Sequence, residues 1–348
     1  MILIESPGLL TTVQDRGRWG YQAFGMPVSG AMDLYSLMAG NAVVCNDPGA
    51  AALEMTLLGP RLRFSSSRLF CVTGGDLSPR LNGREIPCWE GIMAREGDVL
   101  SFHGAVEGAR AWLCISGGID TQPVMDSRST CLRAGIGGYR GRKLMAGDVI
   151  PLGMPDRLWY RGEGFPIPPR HRNRVEKCPN IRVIPGPQEE MFSPSGVESF
   201  YGSVFRVSAE SDRMGYRLEG GPVEHAGGAD IISDAIPCGA VQVPGHGLPI
   251  VMLADRQTTG GYPKIAVAIG ADIHLFSQLV HGDILSFRKT GMAEAEKASR
   301  SMAENLSSIR TMAADWRSRQ RTGLVQKKEG TMRLRLEGED FEVSWETQ

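Results

Sequence analysis

Two short apolar runs, Arg68-Leu-Phe-Cys-Val-Thr73 and Ala111-Trp-Leu-Cys-Ile-Ser116, decide the fold class. Each is closed by a glycine pair, Gly74-Gly75 and Gly117-Gly118. Chain of this kind reads as strand, because glycine and proline end an extended run at a turn. The pattern holds across most of the chain, where 44 glycines and 21 prolines punctuate similar runs. Strands at roughly 8–12-residue spacing suit barrels or sandwiches better than alternating strand-helix units. A mainly β protein built from β-barrels is therefore expected.

One phrase recurs: Gly97-Asp-Val-Leu100, Gly147-Asp-Val-Ile150 and Gly282-Asp-Ile-Leu285 each place a turn before a strand-like run. Glycine tolerates positive φ and aspartate caps the turn, so sheets should close near these positions. Between residues 154 and 180 the composition shifts to Pro166, Pro168, Pro169, Arg170, His171, Arg172 and Arg174, as in a connector. It separates a first β-rich block, 1–153, from a second, 181–290. From Met292 to about Arg321 glycine and proline vanish and a helix is expected. Ala295, Met302, Leu306, Ile309, Ala313 and Trp316 form its narrow apolar stripe, suited to docking on its own barrel or on a partner. After Gly330, alternation through Trp345 with Gly338 and Asp340 near the middle suggests a hairpin, so 291–348 reads as helix plus β tail.

The 348 residues are enough for a sizeable core and two domains. Lysine and arginine number 38 against 39 acidic residues, a net charge of −1, which favours neither nucleic acid nor an anionic membrane. The opening Met1-Ile-Leu-Ile-Glu5 lacks a signal peptide's basic head, and a cytoplasmic location is expected. Seven cysteines without a CxxC pair are expected to be reduced thiols.

Four segments carry more polar, charged and glycine residues than a barrel core requires. In the first, Thr11–Arg18 continuing to Asp33, Asp15 with Arg16 or Arg18 can orient a planar amide or carboxylate; a capped turn facing water is the plainer alternative. The second joins Gly117-Gly-Ile-Asp120, Asp126–Thr130 and Gly137–Arg142: a glycine-lined anion site with Arg128 and Arg142, or a kinked barrel rim. The third, Ser208–Gly215, ends a strand in Ser211, Asp212 and Arg213. The fourth is the sharpest: Gln242–Ile250, an apolar strand, then Asp255-Arg-Gln-Thr-Thr-Gly-Gly-Tyr262. So polar a loop is costly unless its residues bind each other or a ligand. Phosphate-loop, HExxH, CxxC and GxSxG patterns are absent. His246 is the one histidine in a suspicious segment.

At these segments the chain resembles the allophanate-hydrolase subunit 2 family, which includes the C component of 5-oxoprolinase, the sporulation regulator KipA and part of the carboxyltransferase region of urea carboxylase. The resemblance rests on TTVQDRGRWG (11–20), GMPVSGAMD (25–33), EMTLLGP (54–60), GGID (117–120), SRST (127–130), GGYRGR (137–142), IPGPQ (184–188), SDRMGYRL (211–218) and QVPGHGLPIVMLADRQTTGGYPKIA (242–266). It spans residues 2 to about 290. Gly75 stands where the family usually has alanine, His246 where a small polar residue is common, and the tail beyond Met292 is longer than in compact members.

The resemblance implies two cyclophilin-like β-barrels and a heterocomplex with a subunit 1 homologue (the B component of 5-oxoprolinase, KipI-like). It also implies ATP-dependent opening of 5-oxoproline to glutamate with a third subunit, the ATP belonging to the complex. In the urea branch it implies carboxyl transfer from carboxybiotin. Both branches handle a C(=O)–N group. The substrate is expected between the Asp255–Tyr262 and Ser211–Arg213 loops. Arg213 or Arg256 would stabilise developing negative oxygen, with Asp212 and Asp255 as proton acceptors or orienters. Asp15, Arg16, Ser29, Asp33, Ser127, Arg128, Ser211, Gln242, Gln257, Thr258, Thr259, Gly260, Gly261 and Tyr262 are the expected substrate-binding residues; no metal ligands are expected. The main rival is a non-catalytic, KipA-like antagonist of a histidine-kinase inhibitor. Prolyl isomerase activity would rest on barrel shape alone.

Overall fold

The computed structural model describes residues 1–155, 164–322, 329–336 and 339–346, with side chains up to residue 319. The two apolar runs are central strands, Arg68–Asp76 and Glu107–Ile115, paired antiparallel. Their side chains alternate between two cores. Phe70, Val72, Leu113 and Ile115 face one hydrophobic cluster, while Cys71, Trp112 and Cys114 face another that includes Leu37, Ala39 and Val43 of helix α1 (Leu34–Val43). A strand covered on both faces has no polar side, which is why these runs read as continuously apolar.

They belong to a five-stranded sheet with Leu10–Gln14, Ala52–Thr56 and Gly91–Ala94. A six-stranded sheet packs over it, ordered Val149–Ile150, Ile2–Ser6, Arg61–Phe64, Val99–Phe102, Pro79–Leu81, Arg84–Glu85. Here burial alternates, with Ile2, Ile4, Leu62 and Phe64 inside and Arg61 and Arg63 outside paired to Glu5. Among the described residues, hydrogen-bonded closure is confined to the second half. Its seven strands form a closed barrel: Asn180–Pro185, Lys264–Ala268, Ala240–Gln242, Ile250–Met252, Gly215–Glu219, Val204–Val207 and Ile284–Lys289. Helix α2 (Pro194–Gly202), capped by Ser193, places Phe200 against Phe287 at 4.7 Å.

The three Gly-Asp phrases fold alike. Gly97, Gly147 and Gly282 have φ of 85°, 87° and 92°. Asp98, Asp148 and Asp283 accept through Oδ2 from the amide three residues back at 2.8, 2.7 and 2.8 Å. Each glycine also donates to a strand carbonyl, of Phe64, Ile4 and Val207, and that same residue's amide donates back to the aspartate carbonyl. One local device therefore closes sheets in both halves.

The halves are joined by side chains acting as backbone. Gln278 Oε1 accepts from Ala109 and Arg110 N–H while its Nε2 donates to Arg110 O; Arg110 Nη1 donates to Tyr216 Oη at 2.7 Å. Residues 164–180 form a docked strap, with Phe165 and Ile167 buried and Ile167 N–H bonded to Trp89 O. After the short helix α3 (Ile273–Ser277), helix α4 (Met292–Thr322) lies on α1 with Leu306, Ile309 and Ala313 buried and Trp316 6.2 Å from Phe165. The apolar stripe thus covers the protein's own core. The tail pairs Glu329–Leu336 with Glu339–Glu346 antiparallel; its expected turn at Gly338 lies outside the described residues. None of the seven cysteines forms a disulfide; three are buried, three half-buried, and Cys178 is exposed.

Candidate functional site

Strand Leu10–Gln14 ends in Asp15, whose buried carboxylate is fully used. It accepts from Gly17 N–H (2.8 Å), Arg128 N–H (2.6 Å), Ser127 Oγ (2.7 Å) and Ser129 Oγ (2.5 Å). Arg18, also buried, donates to Val124 O at 3.0 Å and Ser129 O at 2.8 Å. These bonds tie the first suspicious segment to the second and turn the intervening Arg16 outward. Gly17 makes this turn possible: at φ 92° a Cβ would lie 2.7 Å from the Val28 side chain.

In the second half the buried Arg213 is a tether. Its Nε donates to Asp255 Oδ2 at 2.9 Å, Nη1 to Glu54 of the first half, and Nη2 to Gly30 O. Burial would lower its pKa, but the Asp255 and Glu54 charges outweigh that and raise it, so the guanidinium stays charged. Arg213 therefore has its donors spent on the interface, and Asp255 is spent on Arg213. Asp212 and Ser211 lie in an exposed turn, where Asp212 accepts from Met214 N–H at 2.8 Å and Ser211 Oγ accepts from Arg217 N–H. The carboxylate of Asp212 and the hydroxyl of Ser211 serve the turn, and neither residue lines the cavities at the seam.

Directly across the seam between the halves lies a cavity of about 210 Å³. Its lining includes Arg16, Ser29, Asp33 and Tyr35 from the first half and Arg256 and His274 from the second. Arg256 is anchored by Nε to Ile236 O (2.9 Å) and Nη1 to Leu253 O (3.1 Å). Asp33 caps α1 through Ser36 N–H at 2.9 Å and receives Asn173 Nδ2 at 3.1 Å. Burial and the Asp33 charge push the Tyr35 hydroxyl up to about 12, keeping it a neutral donor to His171 O at 2.7 Å. Ser29 is left-handed at φ 57°, and its buried hydroxyl has no hydrogen-bond partner among the described residues. A left-handed non-glycine residue costs of order 1 kcal/mol, and strain of this kind gathers at binding sites. His274 Nδ1 faces Ala271 O at 2.8 Å; a carbonyl only accepts, so Nδ1 carries a proton, and Nε2 makes no hydrogen bond among the described residues.

A second cavity of about 340 Å³ adjoins the first, sharing Trp19, Val28, Cys238 and Arg256, and adds Gln257 and Thr258. Burial raises the Cys238 thiol pKa, with Arg256 acting against it. Thr259 and Gly260 pair with Asp234–Ala235, Gly261 O accepts from Ile231 N–H, and Gln242 Nε2 donates to the carbonyl of the half-exposed Tyr262. The structure therefore gathers Arg16, Ser29, Asp33, Arg256, Gln257 and Thr258 around one cleft. Asp15, Ser127 and Arg128 stand behind it as support, and Thr259 to Tyr262 with Gln242 beside it. The Ser211–Arg213 turn, expected on one side of the substrate, contributes no lining residue to these two cavities. His274 escaped sequence reading because it follows an apolar strand with no polar cluster around it; His246, which stood out, accepts from Leu248 N–H and closes a turn.

Among the described residues no helix is long and apolar enough to cross a membrane. A family model described as carboxyltransferase domain, subdomains A and B, matches residues 24–289. The C component of 5-oxoprolinase from Escherichia coli is 37% identical over 300 residues, covering 86% of this chain and 94% of that protein. Its Haemophilus influenzae counterpart is 36% identical with the same coverage. The crystal structure of Kluyveromyces lactis urea carboxylase superposes with a TM-score of 0.83 at 32% identity, over 88% of this chain and 29% of that one.

Proposed function

The chain belongs to the carboxyltransferase domain family, subdomains A and B, and on that premise we propose that it is one subunit of an ATP-dependent 5-oxoprolinase. It would act in the cytoplasm with a subunit 1 homologue and a third subunit. The supporting observation is the seam cavity. Two guanidinium side chains from opposite halves, Arg16 and Arg256, line it together with the unpartnered Ser29 hydroxyl. At about 210 Å³ it is smaller than the roughly 300–1,000 Å³ of drug-sized sites, a scale that suits a small cyclic amide.

5-Oxoproline carries a carboxylate and a lactam oxygen on one small ring. One guanidinium matches the carboxylate, and the other faces the oxygen on which charge develops as the C–N bond opens. His274, whose Nε2 makes no hydrogen bond among the described residues, is the candidate proton carrier in the lining. ATP belongs to the assembled complex, and the chain carries no phosphate loop of its own.

A second reading, carboxyl transfer from carboxybiotin to urea, draws on the superposition with urea carboxylase. The oxoprolinase components are 37% and 36% identical to this chain and urea carboxylase 32%, which favours the first reading. The test mixes this chain with subunit 1 and the third subunit and follows ATP-dependent glutamate release, omitting one component at a time. Turnover that needs every component supports the proposal; tight binding to subunit 1 without turnover replaces it with KipA-like regulation. Arg256→Ala should lower kcat by about 100-fold or more, as loss of an oxyanion donor does. Full activity in that variant would remove the residue from the site.

A further inference from the structure

On the other side of Tyr35 and Met302, which line both spaces, the strap and helix α4 border a hollow of about 530 Å³. Four cations line it: Arg170 and Arg172 from the strap, Arg182 from the barrel and Lys297 from α4. Arg182 is taken up by the buried Asp272 at 2.6 and 3.0 Å. The single acidic lining residue, Glu294, is held by Arg288 at 2.8 Å and Thr290 at 2.6 Å. Three positive charges are left without a carboxylate partner among the described residues. Among the described residues Arg170 and Arg172 each bond only through Nε, towards His171 Nε2 (3.1 Å) and Ile167 O (2.7 Å), and Lys297 has no ion pair.

We propose that this hollow binds the phosphate groups of a polyphosphate, either a nucleoside triphosphate or free pyrophosphate. Three uncompensated cations around one concavity call for two to three negative charges, which a single carboxylate does not carry. Two planar guanidinium forks with open Nη atoms match phosphate oxygens, and the ammonium adds a point charge. The hollow's volume falls within the roughly 300–1,000 Å³ of small-molecule sites. Its walls are tied to the seam cavity: Asn173 donates to Asp33, and Tyr35 donates to His171 O. A bound polyphosphate would thus sit one side chain away from the amide. Only the choice of nucleotide rests on the oxoprolinase reading; the anion site stands on the charges and the geometry.

Calorimetric titration of the full chain with inorganic pyrophosphate, ATP and, as a carboxylate control, glutamate decides it. Pyrophosphate and ATP should bind and glutamate should not. The double variant Arg170→Gln/Lys297→Gln should weaken binding at least 10-fold with an unchanged thermal midpoint, since both side chains are exposed. Tighter binding of ATP than of pyrophosphate identifies a nucleotide site, and equal affinity a free polyphosphate site. No binding by the natural chain, or equal affinity in the double variant, overturns the proposal. Pyrophosphate binding without turnover in the reconstituted complex would leave the hollow standing and sink the enzyme reading. Turnover with an unchanged KM for ATP in the double variant would do the reverse.

Discussion

Of the four Asp-Arg dipeptides in the sequence, Asp156-Arg157 lies outside the described residues; the other three, Asp15-Arg16, Asp212-Arg213 and Asp255-Arg256, look interchangeable and do opposite things in the fold. At Asp15-Arg16 and Asp255-Arg256 the carboxylate turns inward as an anchor and the arginine lines the seam cavity. At Asp212-Arg213 the order inverts: the aspartate caps an exposed turn and the arginine is buried between two carboxylates. Neighbouring residues in an irregular segment point to different sides, so each pair has one member for structure and one for the surface it faces. The first two arginines stand on opposite halves because the seam brings the two loops together, with Arg213 holding them there.

The largest effect should come from breaking that tether. Arg213→Ala leaves Glu54 and Asp255 buried without their cation, and about 3–5 kcal/mol of stability should disappear in denaturant unfolding. A loss under about 1 kcal/mol would mean that the halves hold together without it. Asp15→Ala should cost about 1.5–3 kcal/mol, since four donors lose a charged acceptor, and it should lower activity by releasing Arg16. If the activity of Asp15→Ala survived intact, the clasp would be irrelevant to the cavity. Arg16→Ala sharpens the contrast from the other side: the residue is exposed and its loss should move stability by no more than about 0.5 kcal/mol while activity falls.

The smallest effect concerns pH. Hydrogen bonds from Arg288 and Thr290 draw Glu294 down from 4.5 to about 2. A depressed carboxylate stabilises the fold above its unfolded value, so this contribution is present above about pH 4.5 and fades as pH falls towards 2. Amide protection factors in the first turn of α4, corrected for the intrinsic pH dependence of exchange, should therefore fall over that window in the natural chain. In Glu294→Gln they should be flat; matching profiles would disconnect Glu294 from the helix start.

Much of the fold was legible because its signals are local. The apolar runs, the three Gly-Asp turns and the glycine-free stretch from Met292 each state their own conformation. The hairpin tail was legible for the same reason, through its alternation. The strap between the halves was legible only as composition: prolines and arginines mark a connector, but its docking through Ile167 and the cations it presents depend on the surfaces beneath it.

The candidate site divides along the same line. Composition picked out Arg16, Ser29, Asp33, Arg256, Gln257 and Thr258, because polar residues concentrated in loops need partners or a ligand. It also picked out Asp15, Ser127, Arg128, Asp212 and Arg213, whose partners proved to be the protein itself. A side chain's partner can lie 159 positions away, as Glu54 does from Arg213, and nothing in either neighbourhood announces it. By itself the sequence determined which segments are strands, turns and helix, since those follow from φ preferences and side-chain periodicity within a few residues. Only the tertiary structure decided that Asp15 is buried in one Asp-Arg pair, Arg213 in another and both residues at Asp255-Arg256, that His274 rather than His246 reaches the cavity, and that Arg16 and Arg256 meet at the seam, because these follow from contacts between segments far apart in the chain.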